Sequence, residues 1–221
     1  MEMNLATVLL DLLFPPKCPY CQKILAEPRA PVCSRCQKKL PWLMGREGER
    51  RVDFTEGCYS PLAYRGLVPE AVQRYKFRPV RAYCVPFGAV MAQSLQDHLP
   101  GSADLITWCP LSKERLHERG FDQAELLAKE VGKRLSLPVV GTLKKIKHTD
   151  PQSGLEEESA RRANARGAYA VLPGTNLEGR MVVLVDDVVT SGATMSECAG
   201  LLRMAGAAGV YGLTLAQARR D

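Results

Sequence analysis

A run of aliphatic residues, Val182-Val183-Leu184-Val185, ends in Asp186 and Asp187 and passes through Val188 and Val189 into the turn Thr190-Ser191-Gly192-Ala193-Thr194. Four consecutive β-formers suit a strand covered on both faces, and such strands occur in parallel sheets flanked by helices. Asp186 and Asp187 then stand at the strand's carboxyl end, where open α/β sheets bind ligands. From Met195 to Ala205 the spacing of Leu201, Leu202 and Met204 predicts a helix, which makes the turn a helix start. The unpaired amides of such a start carry partial positive charge and hold anions; Gly192 and Ala193 let a phosphate approach, and Thr190, Ser191 and Thr194 add hydroxyl donors. Paired carboxylates ahead of a phosphate cradle suit a ribose 5-phosphate, with acceptors for its 2- and 3-hydroxyls. A structural strand-to-helix turn in a Rossmann-like domain has the same outline and is the competing reading.

The spelling LVDDVVTSGATM resembles the phosphoribosyl-pyrophosphate (PRPP) signature of type I phosphoribosyltransferases, and that of the ComF family in particular. The resemblance implies a Rossmann-like α/β fold, a mostly parallel sheet flanked by helices. It also implies that PRPP binds with Mg²⁺ along Asp186 to Thr194, with Asp186 and Asp187 as catalytic residues.

The chain has eight cysteines, and four of them fall into two CxxC pairs, Cys18/Cys21 and Cys33/Cys36. No apolar run is long enough to span a bilayer, and Met1 to Phe14 reads as a short amphipathic helix, because Glu2 replaces the positive start of a secretion signal and Asp11 interrupts the apolar block. A cytoplasmic location is therefore expected, and there paired CxxC turns fit a four-thiolate Zn²⁺ site better than disulfides. A module this small buries too little apolar surface to fold alone, so metal supplies the missing free energy. A redox pair or a disulfide clip is the alternative. The cysteine pairs also resemble the amino-terminal zinc ribbon of ComF proteins. The expected organisation is a helix and zinc-ribbon module over residues 1–50 and a phosphoribosyltransferase-like domain over 51–221, joined by a linker from Gly45 to Glu56.

Lys and Arg number 30 against 24 acidic residues, a net charge of +6, which favours polyanionic partners without identifying one. Around the cysteines lie Lys17, Lys23, Arg35, Lys38, Lys39, Arg46, Arg50 and Arg51, with Tyr20 and Trp42 as stacking candidates for single-stranded DNA. A solvated small domain with a core tryptophan explains the same residues.

Further along, Gly57–Tyr64, Asp104–Pro110, Pro138–Leu143, Ala168–Leu172 and Gly209–Ala216 read as strands, and Val68–Phe77, Tyr83–Leu99 and Glu125–Ser136 as helices. Lys76 faces either a phosphate or its own helix's negative end. Lys113, Arg115 and Arg119 crowd a strand-to-helix connection, tolerable where a polyanion neutralises them. Their run, Arg115 to Ala124, resembles the ComF pyrophosphate loop, with Asp122 where asparagine is more usual. Thr149, Gln152, Leu155, Arg161 or Arg162, and Asn164 resemble the family's mobile flap, with Lys145 and Lys147 as further flap candidates. A charged surface helix is the plainer alternative for that segment.

The family resemblance implies transfer of a 5-phosphoribosyl group from PRPP to an acceptor the sequence does not identify, with release of pyrophosphate. It also implies a link to DNA uptake in natural transformation and to competence-machinery proteins. The alternative is a non-catalytic PRPP- or nucleotide-binding adaptor that holds single-stranded DNA through its ribbon and basic surface.

Overall fold

The computed structural model describes residues 14–78, 80–99, 101–147 and 167–218. In chain order, a short helix α1 (Ser34–Gln37) is followed by three brief strands, β1 (Glu49–Arg50), β2 (Gly57–Tyr59) and β3 (Leu62–Ala63). Helices α2 (Val68–Phe77) and α3 (Cys84–His98) lead to β4 (Leu105–Trp108), then α4 (Lys113–Arg119) and α5 (Gln123–Leu135). The pair β5 (Leu143–Lys145) and β6 (Tyr169–Val171) precedes the long strand β7 (Met181–Val189), helix α6 (Ala193–Met204) and β8 (Gly209–Gln217).

The sheet order is β1-β2-β8-β7-β4, with β3 continuing along β8 beyond β2. Its pairings are parallel except β1 against β2. Val182, Val183, Leu184 and Val185 are fully buried because both faces of β7 are covered. Alternate residues divide between the two faces. Val183 and Val185 share a core with Tyr75 of α2, Phe87 and Leu95 of α3 and Leu127 of α5, whereas Val182 and Leu184 pack with Met195, Cys198 and Leu202 of α6.

Several sequence-based expectations are corrected. Gly45–Glu56 is no linker: it forms a 3-10 turn and then β1 at the sheet edge, Val52 is buried in the α6 core, and Arg50 donates to the Ala218 carbonyl. The Gly57–Tyr64 strand divides in two at Ser60-Pro61, where proline has no N–H for a ladder. Pro138–Leu143 contributes only a bridge from Val139 to Ile106; the strand begins at Leu143 and pairs with β6. Tyr20 is 2% exposed, its ring 5.7 Å from that of Phe87, so it serves the core and offers no face for stacking. Trp42 is half-buried and donates to the Gln37 carbonyl. No helix among the described residues is long and apolar enough to cross a membrane. The amino-terminal helix expected over Met1 to Phe14 lies, but for Phe14, outside the described residues.

The connection after β4 is itself helical. Ser112 caps α4 by accepting from the Arg115 amide, and Gly120, at φ 72°, ends it in the left-handed region that glycine tolerates. Asp122 then caps α5, accepting from the amides of Ala124 and Glu125, while its other oxygen accepts from Leu111. One side chain thus ties the start of the α4 segment to α5. Asp122→Ala is expected to cost about 2 kcal/mol and lower Tm by about 4–8 °C. Asp122→Asn keeps the cap of α5 but sets a donor NH2 against the Leu111 N–H, so it retains only part of that stability. Thermal unfolding checks this, and a shift under about 1 °C for the alanine variant would contradict the bracing role.

Candidate functional site

The four thiols of Cys18, Cys21, Cys33 and Cys36 lie within 4.8 Å of one another, with Cys21 and Cys33 sulfurs 3.6 Å apart. Local backbone geometry gathers them. Gln22, at φ 63°, turns the first knuckle as its amide donates to the Cys18 carbonyl, and Cys33 caps α1 by accepting from the Cys36 amide. A tetrahedral zinc with bonds of about 2.3 Å sets its sulfurs about 3.8 Å apart, so the donor set fits Zn²⁺. Burial raises the Cys33 thiol, but the Cys36 amide and the neighbouring sulfurs outweigh it and bring it down to about 7, favouring a thiolate. Cys58, Cys84, Cys109 and Cys198 stand apart from this cluster.

At the carboxyl end of β7 the two aspartates differ in their surroundings. Consecutive strand residues project to opposite faces, so the carboxylates flank the strand instead of standing side by side. Asp187 turns toward α2, where Lys76 Nζ lies 2.9 Å from its Oδ2. Asp186 lies on the α6 side, within electrostatic reach of Cys58, Cys109, Tyr169 and Lys145. Its Oδ1 accepts from the Asp187 amide at 2.8 Å. Burial, and next the charge of Asp187, push the Asp186 carboxyl up to about 8, against the opposing pull of that amide and Lys76. At neutral pH one carboxyl is therefore mostly protonated and its neighbour is salt-bridged.

Beyond β7, Thr190 and Ser191 are half-buried and Gly192 adopts φ 82° as the residue before α6, with no side-chain cap. The Ser191 hydroxyl accepts from the Ala193 amide at 3.3 Å, and Thr194 bonds to Tyr169. A side chain at Gly192 would be strained and would meet Val52 at 3.3 Å, which keeps this turn bare backbone. The helix begins at Ala193, earlier than the expected Met195. Val188 and Val189 are different in kind: Val189 is 3% exposed and Val188 packs on the other core, so their side chains hold the strand in place.

A cavity of about 440 Å³ lies between Pro110–Glu114 and Leu143–Lys147, with no residue of β7 or of the turn into α6 in its lining. It brings Lys113 and the flap candidates Lys145 and Lys147 to one cleft, together with Lys144. Lys145 Nζ sits 5.3 Å from the Tyr169 ring centre; burial, then the Arg115 charge, lower its pKa. Arg119 donates to Gln123 Oε1 at 2.9 Å and lies over the exposed Phe77 ring at 5.0 Å. Burial lowers the Arg119 pKa while Asp187 opposes that shift, so Arg119 belongs to the same field as the Lys76 pair. His117 is exposed. Gln152, Arg162 and Asn164, with Thr149, Leu155 and Arg161, lie outside the described residues.

Sequence reasoning placed Lys76 against a phosphate or its helix end, and the structure gives a third answer, Asp187. The pairing of α2 with β7 that creates it has no local signal. Arg74, which the sequence does not single out, sits buried on an apolar helix face, a mark of carbonyl or carboxylate partners.

Comparison with known proteins bears on both halves. The double zinc ribbon domain family matches residues 9–47, and the phosphoribosyl transferase domain family matches residues 122–220. The chain is 28% identical to Competence protein F of Haemophilus influenzae, over 86% of this chain and 92% of that protein. It is 29% identical to Competence protein ComFC of Bacillus subtilis, over 71% of this chain and 62% of that one. It is 32% identical to DNA utilization protein YhgH of Salmonella typhimurium, over 87% of this chain and 80% of that one. With a four-cysteine ribbon built onto a phosphoribosyltransferase sheet, and likeness to such proteins along most of its length, this chain belongs to the ComF family.

Proposed function

We propose that the chain binds PRPP with Mg²⁺ at the end of β7 and transfers its 5-phosphoribosyl group to an acceptor, releasing pyrophosphate. The observation that carries the reading is the junction of β7 and α6, where Asp186 and Asp187 near the strand's end are followed, through Val188–Gly192, by a helix start whose N-cap Gly192 has no side chain. Asp186 and Asp187 accept from the ring hydroxyls, and the amides from Ser191 to Thr194 hold the 5-phosphate. The bond from the ribosyl C1 to the pyrophosphate oxygen breaks with its electron pair leaving on pyrophosphate, and the acceptor's lone pair forms the new bond. Lys113, Arg115 and Arg119, on or beside the lysine-lined cleft, draw the departing charge. Mg²⁺ bound with PRPP would supply further neutralisation of the leaving group.

A coupled assay of pyrophosphate release against a panel of bases and amines tests the chemistry. Release that is lost in Asp187→Asn supports transfer, whereas PRPP binding without release for any acceptor supports the adaptor reading. The adaptor reading draws on a different feature, the exposed Lys17, Lys23, Arg35, Lys38, Lys39 and Arg46 of the ribbon. It predicts salt-dependent binding of single-stranded DNA by the full chain, weakened uniformly across sequences by Lys38→Ala/Lys39→Ala. We place the protein in DNA uptake or use with competence proteins on the strength of its relatives' names, and in the cytoplasm because a reducing compartment keeps its four zinc-site thiols available. We divide it near residue 50, the ribbon serving as scaffold.

A further inference from the structure

We infer that Lys76 is a positioning residue for the ligand site at Asp187 and that the metal-held cysteine knuckle sets its place through Arg74. The inference rests on the PRPP reading for what occupies Asp187; the coupling itself is between residues of this chain. Three consecutive residues of α2 reach three different elements. Arg74, 8% exposed, donates through Nη2 to the carbonyls of Pro19 and Tyr20 at 2.9 Å each, and through Nη1 to Glu70. Those two carbonyls lie between the first pair of cysteines. Tyr75 donates to the Gln123 carbonyl at the start of α5 at 3.0 Å, and Lys76 pairs with Asp187 at 2.9 Å.

The knuckle is tied in further by Gln22. Its Nε2 donates to the Cys18 and Pro19 carbonyls at 3.1 Å each, and its Oε1 accepts from Tyr83 at 2.8 Å. Without metal the four sulfurs are free to part, and the Pro19 and Tyr20 carbonyls move with them. Arg74 then keeps Glu70 at Nη1, but its buried Nη2 is left with unsatisfied donors, so α2 must shift to rehydrate it. Lys76 stands two residues along the same stiff helix and shifts too. With Lys76 in place, the Asp187 side chain is fixed in orientation as an acceptor. By linkage, ligand at Asp187 and metal at the cysteines then strengthen each other's binding.

The test uses the full chain, zinc-loaded and chelator-stripped, pulse-labelled with acetic anhydride and read by mass spectrometry. Lys129, paired with Glu125 on α5, is the internal control. On metal removal the Lys76 to Lys129 labelling ratio is expected to rise about fivefold or more. Arg74→Met with full zinc content is expected to reproduce the rise, and Arg74→Lys to restore part of the protection. Affinity for PRPP with Mg²⁺, by calorimetry, is expected to fall in step, within the range of about 5- to 150-fold usual for coupled sites. An unchanged ratio in the stripped chain or in zinc-loaded Arg74→Met would overturn the inference, as would an equal rise at both lysines in Arg74→Met. If zinc-loaded wild type gives no heat with PRPP, the proposed function fails while the labelling ratio still decides the coupling.

Discussion

Removing metal from Cys18, Cys21, Cys33 and Cys36, or replacing Cys36 by serine, is expected to lower Tm by about 10 °C or more. Structural zinc contributes about 10–16 kcal/mol to isolated zinc-finger peptides, and even a small part of that is large against a domain's net stability. The effect reaches beyond the ribbon because Tyr20, Leu25, Val32 and Leu40 share one core with Phe87, Met91 and Leu95 of α3. Loss of the knuckle also strips Arg74 of its two carbonyl acceptors. Calorimetric scans with chelator, and after zinc is added back, check this. Recovery on add-back is expected, and an unfolding curve indifferent to zinc would show that the fold stands without the metal.

The second large effect is a pH dependence centred on Asp186. Its carboxyl ionises near 3.9 in an unfolded chain and is pushed up to about 8 in the fold by burial and the Asp187 charge. The proton's contribution to stability is thus complete below pH ~4 and is lost as pH rises to about 8. Asp186→Asn, neutral throughout, should match wild type at pH ~4 and exceed it increasingly toward pH ~8. Because solvent reaches part of the residue, only a fraction of the cost is realised; about 2 kcal/mol of it corresponds to about 4–8 °C in Tm. Binding has the opposite sign. A carboxylate that accepts from ribose hydroxyls must shed its proton, so affinity for PRPP should rise by up to about tenfold per pH unit up to pH ~8 and then level off. Calorimetry in buffers of differing ionisation enthalpy would detect the released proton. The asparagine variant should be the more stable protein and the poorer binder, and a flat profile in both measurements would remove the role assigned to Asp186.

Much of this architecture is legible in the chain because the signals are local. The apolar run into Asp186 and Asp187 specifies a doubly covered strand, and the glycine after Ser191 specifies the turn into α6. The paired cysteines specify their cluster by spacing alone. What was misread depends on contacts between distant segments. Gly45–Glu56 is charged and glycine-containing like a linker, yet the β2 edge is free to accept β1, and Val52 fills space beside α6. Tyr20 looks like a stacking platform amid basic residues until α3 supplies Phe87 to bury it. Lys76 could be matched to Asp187 only once the sheet and α2 were assembled. The two aspartates are adjacent in sequence, which invites reading them as one bidentate acceptor, but the pleat of β7 separates them by face.

The central claim is that a phosphorylated pentose rests across the end of β7 and the start of α6. A crystal structure of the zinc-loaded chain with PRPP and Mg²⁺ at pH ~8, above which Asp186 is ionised, tests it directly. The account predicts ring hydroxyls within hydrogen-bond distance of Asp186 and Asp187, and the 5-phosphate on the amides from Ser191 to Thr194. A phosphate bound elsewhere, or a pentose that leaves both carboxylates untouched, would contradict it.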